Sequence, residues 1–210
     1  MQHKRIIIEG PAGRLQALHR AVDKPRAAVL VCHPHPQYGG TMNNKVVYWM
    51  ARAFEDAGCA VLRFNCRGVE QSEGCWDEGR GEALDAAAAL HWLAATYPDT
   101  PLWLAGFSFG CDAGLQAARL DARVARMFAV APAVNLWDFS FMQGEQRPLS
   151  VVAGTRDEIV PYVAISAAVK LLPFARLHSI KDAGHFFPQH RLEMAAALLA
   201  DVGDTRPGLD

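Results

Sequence analysis

A serine flanked by two glycines is the first group in this sequence that could do covalent chemistry. Gly106, Ser108 and Gly110 fit the pattern G-x-S-x-G, in which the serine occupies a sharp turn between a strand and a helix. Such a turn strains the serine backbone and brings chain segments so close that a Cβ at either glycine would clash. The free N–H groups of the following helix favour negative charge, so the position suits a nucleophile. Alternatively, Ser108 caps a glycine-lined turn and does no chemistry.

A hydroxyl nucleophile needs a base, and two later residues could supply that base and its carboxylate partner. His185 ends the segment KDAGH, just past the last predicted strand, and Asp157 ends VVAGTRD, a few residues past a buried strand. An imidazole accepts the serine proton, and a carboxylate fixes its tautomer. Both residues would then lie at the carboxyl ends of the strands, the edge at which open α/β sheets bind their ligands. The sequence therefore predicts Ser108 as nucleophile, His185 as base and Asp157 as orienting acid.

Other residues compete for these roles. Asp138 follows an earlier predicted strand and is a rival acid, while Asp157 could instead lie in solvent or pair with Arg156. Glu158 is adjacent to Asp157 and is expected to point elsewhere. His185 could also be an ordinary loop histidine, which is our interpretation of four others: His3, His19, His178 and His190.

The segment HPHPQYGG, residues 33–40, follows the first buried strand and could bind a developing negative charge. Two main-chain N–H groups aimed at an oxyanion commonly lower a reaction barrier by several kcal/mol. One is expected from Phe109, the residue after the serine. The two prolines of the segment have no N–H group, which leaves His33, His35 and Gln37 for the other. By its position, His35 is the best candidate.

His33 and His35 could alternatively bind a metal ion. Residues two apart on an extended segment share a face, and imidazole is a common ligand of transition metals. A third and a fourth ligand of suitable spacing are not recognisable in the sequence. We therefore predict neither a metal ion nor another cofactor, and we keep the metal site as an alternative.

The elements that must position these groups alternate between strand and helix from about residue 26 onwards, which is typical of a parallel sheet covered on both faces. The predicted strands cover residues 27–32, 59–64, 102–107, 124–131, 149–153 and 176–180. The predicted helices cover residues 45–57, 81–96, 110–120, 165–172 and 191–202.

The start of the chain differs from this pattern. Residues 4–9 and 15–21 flank a Gly-Pro-Ala-Gly turn and predict an antiparallel hairpin at one edge of the sheet. We therefore expect an α/β fold with a mostly parallel, doubly wound sheet, an antiparallel N-terminal edge hairpin and no cap domain. Residues 1–203 are predicted to form one domain, and residues 204–210 a flexible tail.

Composition and charge exclude several classes of function. The chain has 210 residues, of which 51% are hydrophobic and 20% charged, with a net charge of −1, so it lacks the basic surface that nucleic acid or an anionic membrane would require. No apolar run approaches the roughly 18 residues of a spanning helix, and the N-terminal run is too short for a signal peptide. We expect a cytoplasmic protein without a nucleic-acid or membrane partner, as a monomer or a homodimer.

The cysteines argue against a disulfide framework. There are five, an odd count, and none of them has C-x-x-C spacing. Cys32, Cys59 and Cys66 lie in or beside predicted strands, where a reduced cysteine behaves as a small buried hydrophobe. A thiol nucleophile is therefore not expected.

The segment HPHPQYGGTMNN, residues 33–44, is similar to an H-P-H-P-x-x-G-G-x-M-x-N signature found in a bacterial group of predicted serine hydrolases. Three further blocks resemble that group: RFNCRG, APAV and GTRDEIVP. Over essentially its whole length the chain resembles the α/β-hydrolase superfamily, in its small capless branch near the dienelactone-hydrolase-like enzymes. The resemblance implies Ser108, Asp157 and His185 as the catalytic residues, and no cofactor. Glu70 stands where the group more usually has glycine.

Lipase-like relatives insert a lid between the sixth and seventh strands, and here the corresponding segment runs only from Pro132 to Pro148. A segment this short forms no helical cap, so we expect a small, open site. Large apolar side chains could form its rim, although each could instead pack beneath the loop. These candidates are Tyr38, Phe107, Trp137, Phe139, Phe141, Met142 and Phe186.

Together these features predict a serine hydrolase of the carboxylesterase type, whose small-molecule substrates are esters with short acyl chains or aryl groups. It would act through an acyl-enzyme intermediate. A thioesterase or a C–C hydrolase with the same three residues remains an alternative. A metal-dependent hydrolase and a non-catalytic binding protein of the same fold are further alternatives.

Overall fold

The computed structural model describes residues 3–203, so the predicted tail, residues 204–210, lies outside the described part. Within it, eight strands form one sheet in the order β1-β2-β4-β3-β5-β6-β7-β8. The strands are β1 (Lys4–Gly10), β2 (Gly13–Arg20), β3 (Ala28–Cys32), β4 (Ala60–Phe64), β5 (Leu102–Phe107), β6 (Val124–Val130), β7 (Leu149–Gly154) and β8 (Ala175–Ile180). The helices are α1 (Lys45–Asp56), α2 (Arg80–Thr96), α3 (Phe109–Leu120), α4 (Tyr162–Lys170) and α5 (Arg191–Leu199).

The sheet combines an antiparallel edge with a parallel body. β1 and β2 form a hairpin that begins with Lys4 opposite His19 and closes with Gly10 opposite Gly13, and β2 pairs antiparallel with β4. All pairs from β4 through β3 to β8 are parallel. The predicted mostly parallel sheet with an N-terminal edge hairpin is therefore confirmed.

Two apolar layers enclose the sheet because alternate residues of each strand face opposite sides. On β3, Leu30 packs with α2 and α3 on one face, while Val29 and Val31 pack with α1 and α5 on the other. Every residue of β3, β4, β5 and β7 is buried. Burial on both faces explains why these strands are apolar at almost every position, with Arg63 and Ser150 as the exceptions.

The strand order reverses between β3 and β5, and this reversal positions the candidate site. The chain leaves β3 toward β4 on one side and leaves β5 toward β6 on the other. Connections that diverge in this way open a crevice at the carboxyl ends of the two strands. Residues 33–44 follow β3 and Ser108 follows β5, so both lie at this crevice.

Among the described residues 3–203, no helix is long and apolar enough to cross a membrane. All five cysteines lie within this range and are free. Four are buried, and burial raises the pKa of the Cys32 thiol to about 12 and that of Cys59 to about 11. Cys75, in the loop between β4 and α2, is exposed.

Glu70, also in that loop, adopts a left-handed backbone conformation with φ of +49°. Glycine has no Cβ and adopts this conformation without strain, so glycine would be favoured over glutamate at this position. In this chain the Glu70 carboxylate accepts a hydrogen bond from the side-chain amide of Asn65, at 2.8 Å. This contact offsets part of the strain and holds the loop against the sheet.

Candidate active site

Ser108 occupies the turn between β5 and α3, with φ of 54° and ψ of −119°. This is a strained conformation for a residue with a side chain. A Cβ added to Gly106 would lie 2.4 Å from the carbonyl oxygen of Gly110, and one added to Gly110 would lie 2.5 Å from those of Cys32 and His33. Both glycines are therefore required by the close approach of backbone to backbone, and the turn presents Ser108 at the crevice.

The structure brings Ser108, His185 and Asp157 into one hydrogen-bonded chain. His185 Nε2 lies 3.1 Å from Ser108 Oγ, and His185 Nδ1 lies 2.8 Å from Asp157 Oδ2. The three residues follow β5, β8 and β7, whose carboxyl ends meet at the same edge of the sheet. With Nδ1–H donating to the carboxylate, the lone pair of Nε2 faces the serine hydroxyl and can accept its proton.

The Asp157 carboxylate is held by its own loop. Oδ1 accepts hydrogen bonds from the backbone N–H groups of Ile159, at 2.9 Å, and Val160, at 2.7 Å, which leaves Oδ2 for His185. Arg156, which the sequence offered as an alternative partner, pairs with Asp182 at 2.9 Å. Asp157 is therefore oriented toward the imidazole by backbone donors.

The other two acidic candidates have different partners. Asp138 accepts hydrogen bonds from the backbone N–H and the hydroxyl of Ser140. Glu158 was expected to point elsewhere, but its Oε2 accepts a hydrogen bond of 3.1 Å from the backbone N–H of His185. A Cβ on Gly184 would lie 2.6 Å from that oxygen. The glycine before His185 was the one sequence signal for this contact, because it admits the carboxylate.

His35 and Phe109 are the two predicted backbone donors. Both line the same cavity as Ser108, and within residues 3–203 neither backbone N–H donates to a protein acceptor. The N–H of Gln37, another candidate, donates to His35 Nδ1 at 3.2 Å. A Cβ on Gly40 would lie 2.0 Å from the carbonyl oxygen of Pro34, so the segment folds tightly back on itself. Two unpaired N–H groups beside Ser108 can stabilise an oxyanion.

His33 has a structural role. Its ring is fully buried, Nδ1 donates to the carbonyl oxygen of Pro34 at 2.6 Å, and Nε2 accepts from the backbone N–H of Cys66 at 3.0 Å. Burial lowers the pKa of His33 to about 4, so the ring is neutral at pH 7. Both nitrogens are used within the protein, and this geometry does not fit the alternative in which His33 and His35 bind a metal ion.

A cavity of about 350 Å³ opens beside Ser108 and His185. Its lining consists of Pro34, His35, Tyr38, Gly39, Gly40, Asn44, Ser108, Phe109, Ala133, Leu136, Trp137, Ile159, His185 and Phe186. Among these described residues there is no lysine, arginine, aspartate or glutamate. The cavity can therefore bind an uncharged, largely apolar molecule next to the serine hydroxyl.

Comparison with known proteins shows the family. The sequence model of the alpha/beta hydrolase fold family matches residues 27–146. The chain belongs to the α/β-hydrolase family. An uncharacterized protein of Rickettsia prowazekii is 37% identical to this α/β hydrolase over 205 residues, which cover 92% of this chain and 86% of that protein.

Solved structures of similar proteins agree with this assignment. An α/β serine hydrolase without lid from Xanthomonas campestris is 34% identical, with a TM-score of 0.89 and coverage of 95% of this chain and 93% of that one. An α/β serine hydrolase homologue from Coxiella burnetii is also 34% identical, with a TM-score of 0.88 and coverage of 97% and 99%. The predicted family and the predicted fold without a cap are confirmed, and these relatives support hydrolysis as the activity of this α/β hydrolase.

The rim of the cavity differs from the sequence prediction in four of seven positions. Tyr38, Trp137 and Phe186 line the cavity as predicted. The other four lie elsewhere: Phe107, Phe139, Phe141 and Met142. Two apolar residues that the prediction missed, Leu136 and Ile159, line the cavity and are exposed. Their one sequence signal was proximity, since they lie one and two residues from the predicted Trp137 and Asp157.

The four residues that do not line the cavity are turned away from it by the end of strand β5 and by a 3-10 turn. Phe107, the last residue of β5, is fully buried and its ring lies beneath that of His185, with centroids 5.1 Å apart. The other three residues, Phe139, Phe141 and Met142, lie at a 3-10 turn, Ser140–Met142, and pack toward the core. Phe139 and Phe141 stack on each other, with centroids 5.8 Å apart, and Met142 is fully buried in the core beside α3. All four side chains belong to the hydrophobic core or pack against it.

Proposed function

We propose that this α/β hydrolase is a serine esterase that cleaves small, uncharged carboxylic esters through an acyl-enzyme intermediate. The observation that carries the proposal is the unbroken hydrogen-bonded chain from Asp157 through His185 to Ser108, beside a cavity that opens to solvent. In this arrangement the three residues can take the roles of a Ser-His-Asp triad, with a carboxylate that orients a base and a base that activates a hydroxyl.

The first half of the proposed reaction transfers the acyl group to the enzyme. Ser108 Oγ attacks the ester carbonyl carbon while its proton passes to His185 Nε2, and Asp157 stabilises the resulting imidazolium. The backbone N–H groups of His35 and Phe109 bind the oxyanion, and a donor of this kind typically accelerates a reaction about 10²- to 10³-fold. The ester C–O bond then breaks, and the departing alcohol oxygen takes the proton from Nε2.

The second half releases the acid. A water molecule gives a proton to His185 Nε2 as its oxygen attacks the acyl carbon, and the same two N–H groups bind the second oxyanion. Collapse of this intermediate breaks the bond to Ser108 Oγ, which recovers its proton from His185. The enzyme returns to its starting state, and one ester and one water have become an acid and an alcohol.

The lining of the cavity supports the substrate class. A bound carboxylate or phosphate would require a cation, and the described lining has neither lysine nor arginine. The walls nearest solvent are the apolar side chains of Tyr38, Leu136 and Phe186. Within residues 131–148, all of which the structure describes, the chain contains a 3-10 turn but no helix that could roof a long alkyl group. These features favour short esters without charge.

A serine-directed fluorophosphonate tests the proposal. It is expected to add once, at Ser108, and Ser108→Ala is expected to abolish labelling and to lower kcat by roughly 10⁵- to 10⁶-fold on p-nitrophenyl butyrate. Ser166→Ala, on α4, is the matched control and should retain both. Intact-mass analysis and steady-state kinetics provide the readouts. Labelling at another residue, or a Ser108→Ala enzyme within tenfold of wild type, would overturn the assignment.

A further inference from the structure

A second cavity lies beside the catalytic one, on the other side of the loop between β6 and β7. Its volume is about 260 Å³, and it extends between this loop and the end of α4. Trp137 lines both cavities, and among the described residues it is the one that the two linings share. Trp137, called the partition below, therefore lies at the boundary between the two cavities.

The chemistry of the second cavity suits a hydrocarbon group. Its apolar lining residues are Val134, Phe139, Ala168, Leu171 and Leu172, of which Leu171 is exposed to solvent. Four of these also border a small apolar space beneath the loop, of about 20 Å³. An unfilled space lined by apolar side chains remains dry and accepts apolar ligands. Three polar residues also line this cavity, Asp138, Ser140 and Gln143, and the first two bond to each other.

Aromatic packing holds the partition in place. The Trp137 ring lies 5.1 Å from that of Phe109, 6.1 Å from His35 and 6.2 Å from Trp76, measured between centroids. Within residues 3–203 the indole N–H makes no hydrogen bond to the protein. Removing or rotating this ring therefore breaks no polar contact. It opens a path from the catalytic cavity to the apolar wall behind the loop.

We propose that the second cavity is a latent subsite for ester groups longer than about six carbons, and that Trp137 determines specificity by closing it off from Ser108. The inference rests on the proposed ester hydrolysis, because the cavity acts as an extension of that site. In the wild type the partition restricts the substrate to short groups. Without the indole, an alkyl chain reaches Val134, Ala168 and Leu172.

The test compares p-nitrophenyl esters of two to twelve carbons on Trp137 variants. Trp137→Ala is expected to raise the ratio of kcat/KM for the eight-carbon ester to that for the two-carbon ester at least tenfold over wild type, mainly through a lower KM. Trp137→Phe keeps an aromatic contact with Phe109 and is expected to shift the ratio in the same direction by a smaller factor. It serves as the test variant if the alanine substitution unfolds the protein.

A filling substitution shows whether the second cavity holds the chain. Ala168→Phe, on α4, places a ring in that cavity and touches none of the residues around Ser108. Added to Trp137→Ala, it is expected to return the ratio to within about threefold of wild type. Trp92→Ala, which removes an indole packed on His19 outside both cavities, is the control for loss of a tryptophan and should leave the ratio unchanged.

The possible results separate this inference from the proposed function. If folded Trp137 variants keep the wild-type ratio, or if Ala168→Phe fails to reverse the gain, the latent subsite is wrong while short-ester hydrolysis stands. If Ser108→Ala hydrolyses the short esters as fast as wild type, the proposed esterase mechanism itself is wrong. Ratios that rise with Trp137→Ala and fall with Ala168→Phe support the subsite.

Discussion

At the scale of single residues, two neighbouring carboxylates hold the same histidine by different atoms. Asp157 binds the imidazole through Nδ1, and Glu158 binds the backbone N–H of the same residue. The first contact sets the tautomer of His185 and the charge beside it, while the second positions its main chain. Chemistry in the proposed mechanism passes through the first contact alone, so the two residues should differ sharply when substituted.

Isosteric amides measure that difference. Asp157→Asn keeps an acceptor for the loop N–H groups but can donate to His185 Nδ1, which favours the wrong tautomer, and kcat is expected to fall about 10⁴-fold. Glu158→Gln retains an acceptor for the His185 N–H and should stay within about tenfold of wild type. The measurement is kcat on p-nitrophenyl butyrate, with thermal unfolding as a check of the fold. Comparable losses in the two variants would contradict the division of roles.

Spacing and chain order were sufficient to predict that Ser108, Asp157 and His185 lie at one edge of the sheet, because each follows a strand that an apolar run identifies. Spacing does not show where a side chain turns after it leaves a strand end. Glu158 bends back to the backbone of His185, and that contact depends on the space left by Gly184. A hydrogen bond of this kind, from a backbone N–H group to a distant side chain, can be identified only in the three-dimensional structure.

At the scale of elements, helix α3 carries a conflict between local charge and burial. Its first residue, Phe109, supplies a proposed oxyanion donor, and Asp112 lies in its first turn. A helix N-terminus favours a negative charge. Asp112 is nonetheless almost fully buried, its side chain bonds to Gln116, and burial raises its pKa to about 6 with a further contribution from Asp138. The desolvation cost exceeds the favourable effect of the helix.

Replacing Asp112 tests this balance. Its folded pKa lies above the unfolded value of 3.8, so the folded state binds more protons between about pH 4 and 6, and stability falls as the pH rises through that window. Asp112→Asn keeps an acceptor for Gln116 without the charge. Relative to wild type, its free energy of unfolding in urea should be nearly equal at pH 4 and about 1–2 kcal/mol higher at pH 8.

Asp121, at the end of the same helix, provides the opposite control. Its hydrogen bonds with Arg123 lower its pKa, so Asp121→Asn should remove a small stabilisation at pH 8 instead of adding one. If Asp112→Asn is destabilising at pH 8, the buried carboxylate contributes a favourable interaction that outweighs its desolvation.

The elements themselves were predictable because glycine, proline and hydrophobic period mark their limits. The two largest discrepancies at an element boundary are equal: α4 was expected to begin at Ile165 and begins at Tyr162, directly after Pro161, and α5 was expected to end at Val202 and ends at Leu199. A proline at a helix start is a recognised signal. The segment between β6 and β7 was harder to predict, since its apolar residues follow neither the period of a strand nor that of a helix. The inward turn of Phe139 and Met142 depends on the unfilled space between α3 and α4.

At the scale of the whole molecule, the site is formed by strand ends and short loops, and within residues 3–203 no further layer covers it. Solvent reaches the catalytic cavity past Tyr38 and Leu136, which are exposed. In so open a site little of a long alkyl chain would be removed from water, so such a chain would gain little binding energy.

Chain-length preference follows from this openness. Hydrolysis of p-nitrophenyl esters by the wild type is expected to be most efficient for acyl groups of about two to six carbons, because Trp137 limits the depth of the cavity. Activity should also rise smoothly with substrate concentration through the onset of micelles. An optimum at twelve carbons, or a jump in rate at a lipid–water interface, would show that a covering element exists.

The distribution of thiols has a practical consequence for spectroscopy. Four cysteines are buried, whereas Cys75 is exposed. Its neighbour Trp76 packs at a tilt against His35 at the cavity, with ring centroids 4.5 Å apart. Thiol reactivity requires access to the thiolate. A maleimide dye should therefore add once to the native protein and five times after unfolding, as counted by mass spectrometry, and not at all to native Cys75→Ser. The native chain thus offers a single attachment point for a fluorophore next to a quenching indole, and ligand entry can be followed as a change in emission.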